Sequence, residues 1–277
     1  MFVLPAVRLD TSSGGHRTPH AGEGVDFLDF RPYTPGDDFR RIDWNLYGRL
    51  RQLFVRLNEA SRQLCVSLLL DSSKSMLFGH PVSKLHQAQS VACALGFIAL
   101  KNGDRVNVMN FADGVKGALG PLTGIRSLPS LVRFMQQVQP GGSSDLGSAA
   151  KRLRSMRQHK GLVVVLSDFL NVCQCEEAIS VVLSGGGKVL AIQILDPLDR
   201  GTGLKGNLRL RDCETGRLVD VRINDDIRAV YQKQFEARRR QFEDYCLERQ
   251  QLYIQALTTD NYLELICSAL RSKAVIR

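Results

Sequence analysis

No stretch of this sequence is apolar for long enough to cross a membrane as a helix. Met1 to Val7 is too short for the apolar core of a secretory signal, so neither a span nor a leader is expected. Gly185-Gly186-Gly187-Lys188 runs into a strand pattern rather than a helix, which excludes a phosphate-binding P-loop and any ATPase activity built on one. A Gly-x-Ser-x-Gly elbow is missing, and the five histidines have no evident nucleophile partner, which removes the common serine-hydrolase designs. The seven cysteines are an odd number set mostly in apolar patterns, as reduced core thiols are. Cys173-x-Cys175 has no second pair at zinc-ligand spacing, so zinc is not expected. Together these absences point to the cytoplasm.

What is present is an ordinary globular composition, 277 residues with 44% hydrophobic and 23% charged. That length suits one large domain or a domain with an appendage. The net charge of +9 favours an acidic partner. The basic residues are spread along the chain without an RNA-recognition, zinc-finger or helix-turn-helix signature, so an acidic protein is expected in preference to nucleic acid.

The chain is organised around Leu68-Leu69-Leu70-Asp71-Ser72-Ser73-Lys74-Ser75-Met76, an apolar run from Cys65 that stops at an acid and alternating hydroxyls. Such a run reads as a buried parallel strand. The Asp-x-Ser-x-Ser loop at its end is either a polar turn with serine capping a helix or a cluster of hard oxygen ligands suited to Mg2+ or Mn2+. Two further stretches have the same character. Gly141-Gly142-Ser143-Ser144-Asp145-Leu146-Gly147 is a hydroxyl-bearing loop before a helical pattern, and Val163-Val164-Val165-Leu166-Ser167-Asp168 is a second strand ending in an acid. In this order the three parts resemble the metal-ion-dependent adhesion site of von Willebrand factor A domains. The resemblance implies that Asp71, Ser73, Ser75, Ser144 and Asp168 hold a divalent cation, some of them through water. Ser144 stands where that family usually has threonine, and the hydroxyl is kept.

Upstream, Gly22 to Leu57 interleaves aromatics with nearly equal numbers of acids and arginines. The acids would repel phosphate, so an arginine–carboxylate clamp around Trp44, or a protein-interface rim, is expected here instead of a nucleic-acid surface. Arg31-x-Tyr33-x-x-Gly36-Asp37-Asp38-x-Arg40-x-Ile42-Asp43-Trp44 resembles the hallmark of the bacterial domain of unknown function number fifty-eight, which precedes a von Willebrand-like domain in that family. The likeness runs from about Gly22 to the last helix. Many relatives carry two membrane helices before the hallmark, and none is expected here. Genes of this family commonly lie beside MoxR-type AAA+ ATPases. The resemblance therefore implies a non-catalytic, cation-dependent adaptor that offers its metal to an acidic side chain of such an ATPase or its client. The alternatives are a metal-dependent phosphotransfer or hydrolytic enzyme at the same carboxylates, and a basic nucleic-acid-binding protein.

The expected architecture is a doubly wound, mostly parallel α/β sheet. Residues 1–60 form an arm and the arginine-aromatic module, with 1–21 irregular, and residues 61–277 form the von Willebrand factor A-like domain. Within that domain the patterns predict helices over 82–101, 128–137, 146–157 and 176–183, and strands over 105–111, 161–167 and 189–195. A β-hairpin at about 205–222 is expected to extend a sheet edge, followed by a long helix from Asn224 through Gln255 and a final one over 261–271.

Overall fold

The computed structural model describes residues 27–58, 63–156, 161–201, 206–213 and 216–272. The expected irregular arm, 1–21, lies outside them. The elements, in chain order, are β1 (Phe27–Pro32), α1 (Trp44–Leu50), β2 (Phe54–Asn58), β3 (Cys65–Asp71), α2 (Lys84–Lys101), β4 (Arg105–Ala112), β5 (Gly114–Thr123), α3 (Leu128–Gln137), α4 (Leu146–Ser155), β6 (Leu162–Ser167), α5 (Val172–Ser184), β7 (Lys188–Leu195), β8 (Gly206–Arg211), β9 (Leu218–Ile223), α6 (Asp225–Glu248), β10 (Leu252–Leu257) and α7 (Tyr262–Ser272). The chain divides into two compact units with the boundary between Gln63 and Leu64.

In the second of these units, strand alternation sends successive side chains to opposite faces, and both faces are covered. Val66, Leu68 and Leu70 of β3 pack with Val91, Leu95 and Ala99 of α2. Leu69 points the other way, into a cluster with Ala149 of α4, Ile179 of α5 and Phe242 of α6. The six strands run in the order β10-β7-β6-β3-β4-β5, all parallel except β5. This is the expected doubly wound, mostly parallel α/β fold. From β3 the chain first builds outward through β4 and β5, then returns to β3's other side with β6, so the winding direction reverses between β3 and β6. Ligands of open α/β sheets gather at the carboxyl ends of strands at such a reversal. No helix among the described residues is long and apolar enough to cross a membrane.

Two expectations need correction. The hairpin β8–β9 forms its own two-stranded sheet and does not extend the central one. Leu218 and Val219, on opposite faces of β9, are both exposed, so the alternation there is not that of a strand half-buried on the central sheet. The long helix stops at Glu248, and Leu252–Leu257 becomes β10, the edge strand beside β7. The break falls at Gln250, which adopts a left-handed φ of 55°. Helices commonly end in that conformation on glycine, and here no glycine or proline marks the stop.

The first unit is a local framework of caps and turns. β1 and β2 pair antiparallel, and the Tyr33 N–H donates to the Leu53 carbonyl. The Arg31 guanidinium grips Asp37, whose other oxygen accepts from the Thr34 N–H and hydroxyl at 2.9 Å each. The Arg31 hydrogen bond, joined by those of Thr34, holds the Asp37 carboxyl down at about 2. Gly36 takes φ 107°, a conformation that strains other residues. Asp38 accepts from the Arg40 N–H, and Asp43 caps α1 by accepting from the Leu46 N–H at 2.9 Å. Much of the hallmark is therefore turn and cap chemistry. The clamp expected around Trp44 does not bury that side chain, which leaves the interface-rim alternative open. Trp44 is 62% exposed and meets Tyr47 edge-on, because α1 is only seven residues long and buries none of them. Loss of the Asp43 cap alone costs about 0.5–2 kcal/mol. Asp43→Ala is accordingly expected to lower the denaturation midpoint of this unit, and an unchanged midpoint would remove the cap from the account.

Candidate functional site

Parallel pairing of β3 with β6 sets Leu70 beside Leu166, so the next residues, Asp71 and Ser167, stand side by side at the strand ends. The Ser167 hydroxyl donates to Asp71 Oδ2 at 2.6 Å. The loop before α4 is stitched to the loop after β3: the Gly141 N–H donates to the Ser72 carbonyl, and the Lys74 N–H to the Gly142 carbonyl. Gly142 has φ 74°, and a Cβ there would lie 2.8 Å from the Asp113 carboxyl carbon, so this approach requires glycine. The stitching delivers the Ser144 hydroxyl to Asp71 Oδ2 at 2.7 Å. Asp71 Oδ1 accepts from the Ser73 N–H at 2.9 Å, and the Ser73 and Ser75 hydroxyls are 3.0 Å apart.

Asp71 is thus a fully buried carboxylate, 0% exposed, ringed by hydroxyls and one N–H. Burial pushes its carboxyl above the ordinary value and the charge of Asp168 adds to this, against the hydrogen bonds from Ser167, Ser73 and Ser144. Such a group gains from a proton or a cation. Among the described residues no three His, Cys, Asp or Glu side chains gather as a metal centre, so the donors on offer are two carboxylates and several hydroxyls. That all-oxygen set fits Mg2+ or Mn2+ and not a soft metal.

Asp168 follows β6 and lines the same open cleft of about 800 Å3 as Ser75 and Ser144. Phe169, next to it, holds a positive φ of 49°, and its ring packs on Phe242 of α6 with centroids 4.6 Å apart. The five residues that the sequence singles out, Asp71, Ser73, Ser75, Ser144 and Asp168, therefore meet at one end of the sheet. Ser167 and Lys84 join them and were missed by sequence reasoning. Lys84 is 1% exposed, and its ammonium lies 3.0 Å from Asp168 Oδ2 and 3.1 Å from Asp199 Oδ2. Burial opposes its charge, but Asp168 and Asp199 outweigh that and hold Lys84 above the usual lysine value. One signal was available in the sequence. Lys84 opens α2 on its apolar side, where the helix dipole disfavours a cation, so it needed an acidic partner.

The family described as Protein of unknown function DUF58 matches residues 29–241 of the chain. An uncharacterized protein of Mycobacterium tuberculosis is 30% identical over 231 residues, covering 82% of this chain and 72% of that one. Among solved structures, the chain is similar to the conserved hypothetical protein BatB from Bacteroides thetaiotaomicron, at 19% identity and a TM-score of 0.48, over 76% of this chain and 98% of that one. It is also similar to an aerotolerance-related membrane protein from Bacteroides fragilis, at 21% identity and a TM-score of 0.46, with the same coverage.

Proposed function

The chain belongs to the DUF58 family of proteins of unknown function, and from that premise we propose that it is a non-catalytic adaptor that binds a partner protein through a divalent cation. The observation that carries this reading is the Asp71 carboxylate, buried among hydroxyls at the winding reversal with Asp168 beside it. Asp71, Ser73, Ser75 and Ser144 would hold Mg2+ or Mn2+, with Asp168 contributing directly or through water. The bound ion supplies an open coordination position able to take a carboxylate oxygen. Asp71 is committed to its hydroxyls and Asp168 to Lys84, so neither is poised as the general base that phosphotransfer or hydrolysis needs. The net charge of +9 steers an acidic surface toward the site. The partner that fits the family context is a MoxR-type AAA+ ATPase or its client, which supplies the ATP-driven step this chain has no loop for.

The test is capture of a MoxR-type ATPase in Mg2+ and in EDTA. Ser75→Ala removes a hydroxyl from the site without stranding a charge, so it should melt as the wild type does in EDTA yet lose the Mg2+-dependent part of capture. EDTA should reproduce that loss. Equal capture in EDTA would overturn the cation bridge.

A further inference from the structure

Helix α6 reaches the cleft because Phe242 is wedged between Phe169, the residue after Asp168, and Tyr253 of β10. Arg238 precedes Phe242 by one helical turn and so shares its face, which places it on the cleft wall with Ser75, Ser144 and Asp168. The run Ala237-Arg238-Arg239-Arg240 reads in sequence as a solvated helical face, but its arginines are not alike. Arg239 is locked to Glu236 at 2.9 Å and to Glu243 at 2.8 Å. Arg238 is exposed and has no ion pair among the described residues. The acids sharing its cleft are already engaged. Asp145 caps α4 by accepting from the Ser148 N–H and hydroxyl, Asp168 holds Lys84, and Asp212 has a partner of its own. A guanidinium left free on such a wall is a bidentate receptor for a carboxylate.

We infer that Arg238 is a second anchor for the partner, so that the cleft selects a segment carrying two acidic side chains, one for the cation and one for Arg238. This rests on the cation-bridge reading above. The volume of about 800 Å3 lies in the range of ligand-binding clefts, and α6 is held against the Asp168 loop by the Phe169–Phe242 contact, so the anchor is fixed relative to the site. Arg238 thereby sets specificity while the ion sets the requirement for metal.

The test uses C-terminally amidated glycine peptides bearing an uncharged fluorophore and one aspartate, or two aspartates separated by one to four glycines, titrated with the full chain in Mg2+ and in EDTA. At the best spacing the second acid should tighten Mg2+-dependent binding about tenfold, as a charge-assisted hydrogen-bonded pair does. In Arg238→Gln that gain should vanish while the one-acid peptide binds as before. Mg2+-dependent binding with no gain at any spacing, or with the same gain in Arg238→Gln, would overturn the anchor and leave the bridge standing. If no peptide bound in a Mg2+-dependent way, the bridge itself would fall, and the anchor with it.

Discussion

Lys84→Met is expected to destabilise the α/β unit by about 3–5 kcal/mol, the usual cost of breaking a buried ion pair from one side. For a domain of this size that is a fall in melting temperature of about 6–20 °C. Methionine fills nearly the same volume, so packing is kept and only the charge is lost. Asp168, buried and close to Asp71, and Asp199, partly buried, formerly 3.0 and 3.1 Å from the ammonium, are then left without their cation. A divalent ion at Asp71 and Asp168 would relieve part of that repulsion. Mg2+ should therefore raise the melting temperature of Lys84→Met by more than it raises that of the wild type. Adding Asp199→Asn to Lys84→Met should recover part of the loss without metal. A melting curve for Lys84→Met in EDTA that overlays the wild type would show that the triad does not stabilise the fold. The same geometry bears on the choice of knock-outs. Asp168→Ala leaves Lys84 with Asp199 alone and disturbs folding as well as metal binding, whereas Ser75→Ala removes a metal-site hydroxyl and leaves the ion pairs intact.

The central sheet was legible because its strands are nearly continuous apolar runs, Leu68 to Leu70 and Val163 to Leu166 among them, and parallel strands buried on both faces must be so. The acids at their ends could be read for the same reason: a charge directly after such a run sits at the edge of the sheet. β10 could not be read. Tyr253 and Ile254 alternate with too few polar residues over too short a span to break the helical pattern before them, and the stop falls on Gln250 at φ 55°. Ser167 was hidden by its neighbour, since only the register with β3 shows which of Ser167 and Asp168 faces Asp71. Lys84 and Asp199 meet across a separation no local pattern spans, at the first turn of α2 and after β7. In the hallmark, the motif was plain but its work was misjudged. Arginines and acids at equal density suggested a clamp around Trp44, whereas Asp38 and Asp43 mark helix starts and Trp44 is left facing solvent.

At neutral pH in EDTA, Asp71→Asn should be at least as stable as the wild type, and its melting temperature should not respond to Mg2+ or Mn2+. The amide keeps an acceptor for the Ser73 N–H, and its NH2 can donate to the Ser144 and Ser167 hydroxyls, which rotate from donor to acceptor. What the substitution removes is the buried charge. Burial, with Asp168 adding, raises the Asp71 carboxyl in the folded chain above its ordinary 3.8. The native state therefore keeps this proton longer than the unfolded state does. Its contribution to stability is fully present below about 3.8 and is lost as pH rises through the raised value. Above that the penalty is constant, and there a divalent cation can offset it; at a hundredfold excess over its Kd an ion adds about 2.7 kcal/mol. The Mg2+ increment in wild-type melting temperature should be largest at neutral pH and shrink as pH falls through the raised value, because protons then compete for the same oxygens. In Asp71→Asn, this site's contribution to the pH dependence and the Mg2+ increment should both disappear. Scanning calorimetry over a pH series, with and without Mg2+, reads the two together. A Mg2+ increment surviving in Asp71→Asn would place the ion elsewhere, and a wild-type increment that did not change with pH would show that Asp71 is not the carboxylate it binds.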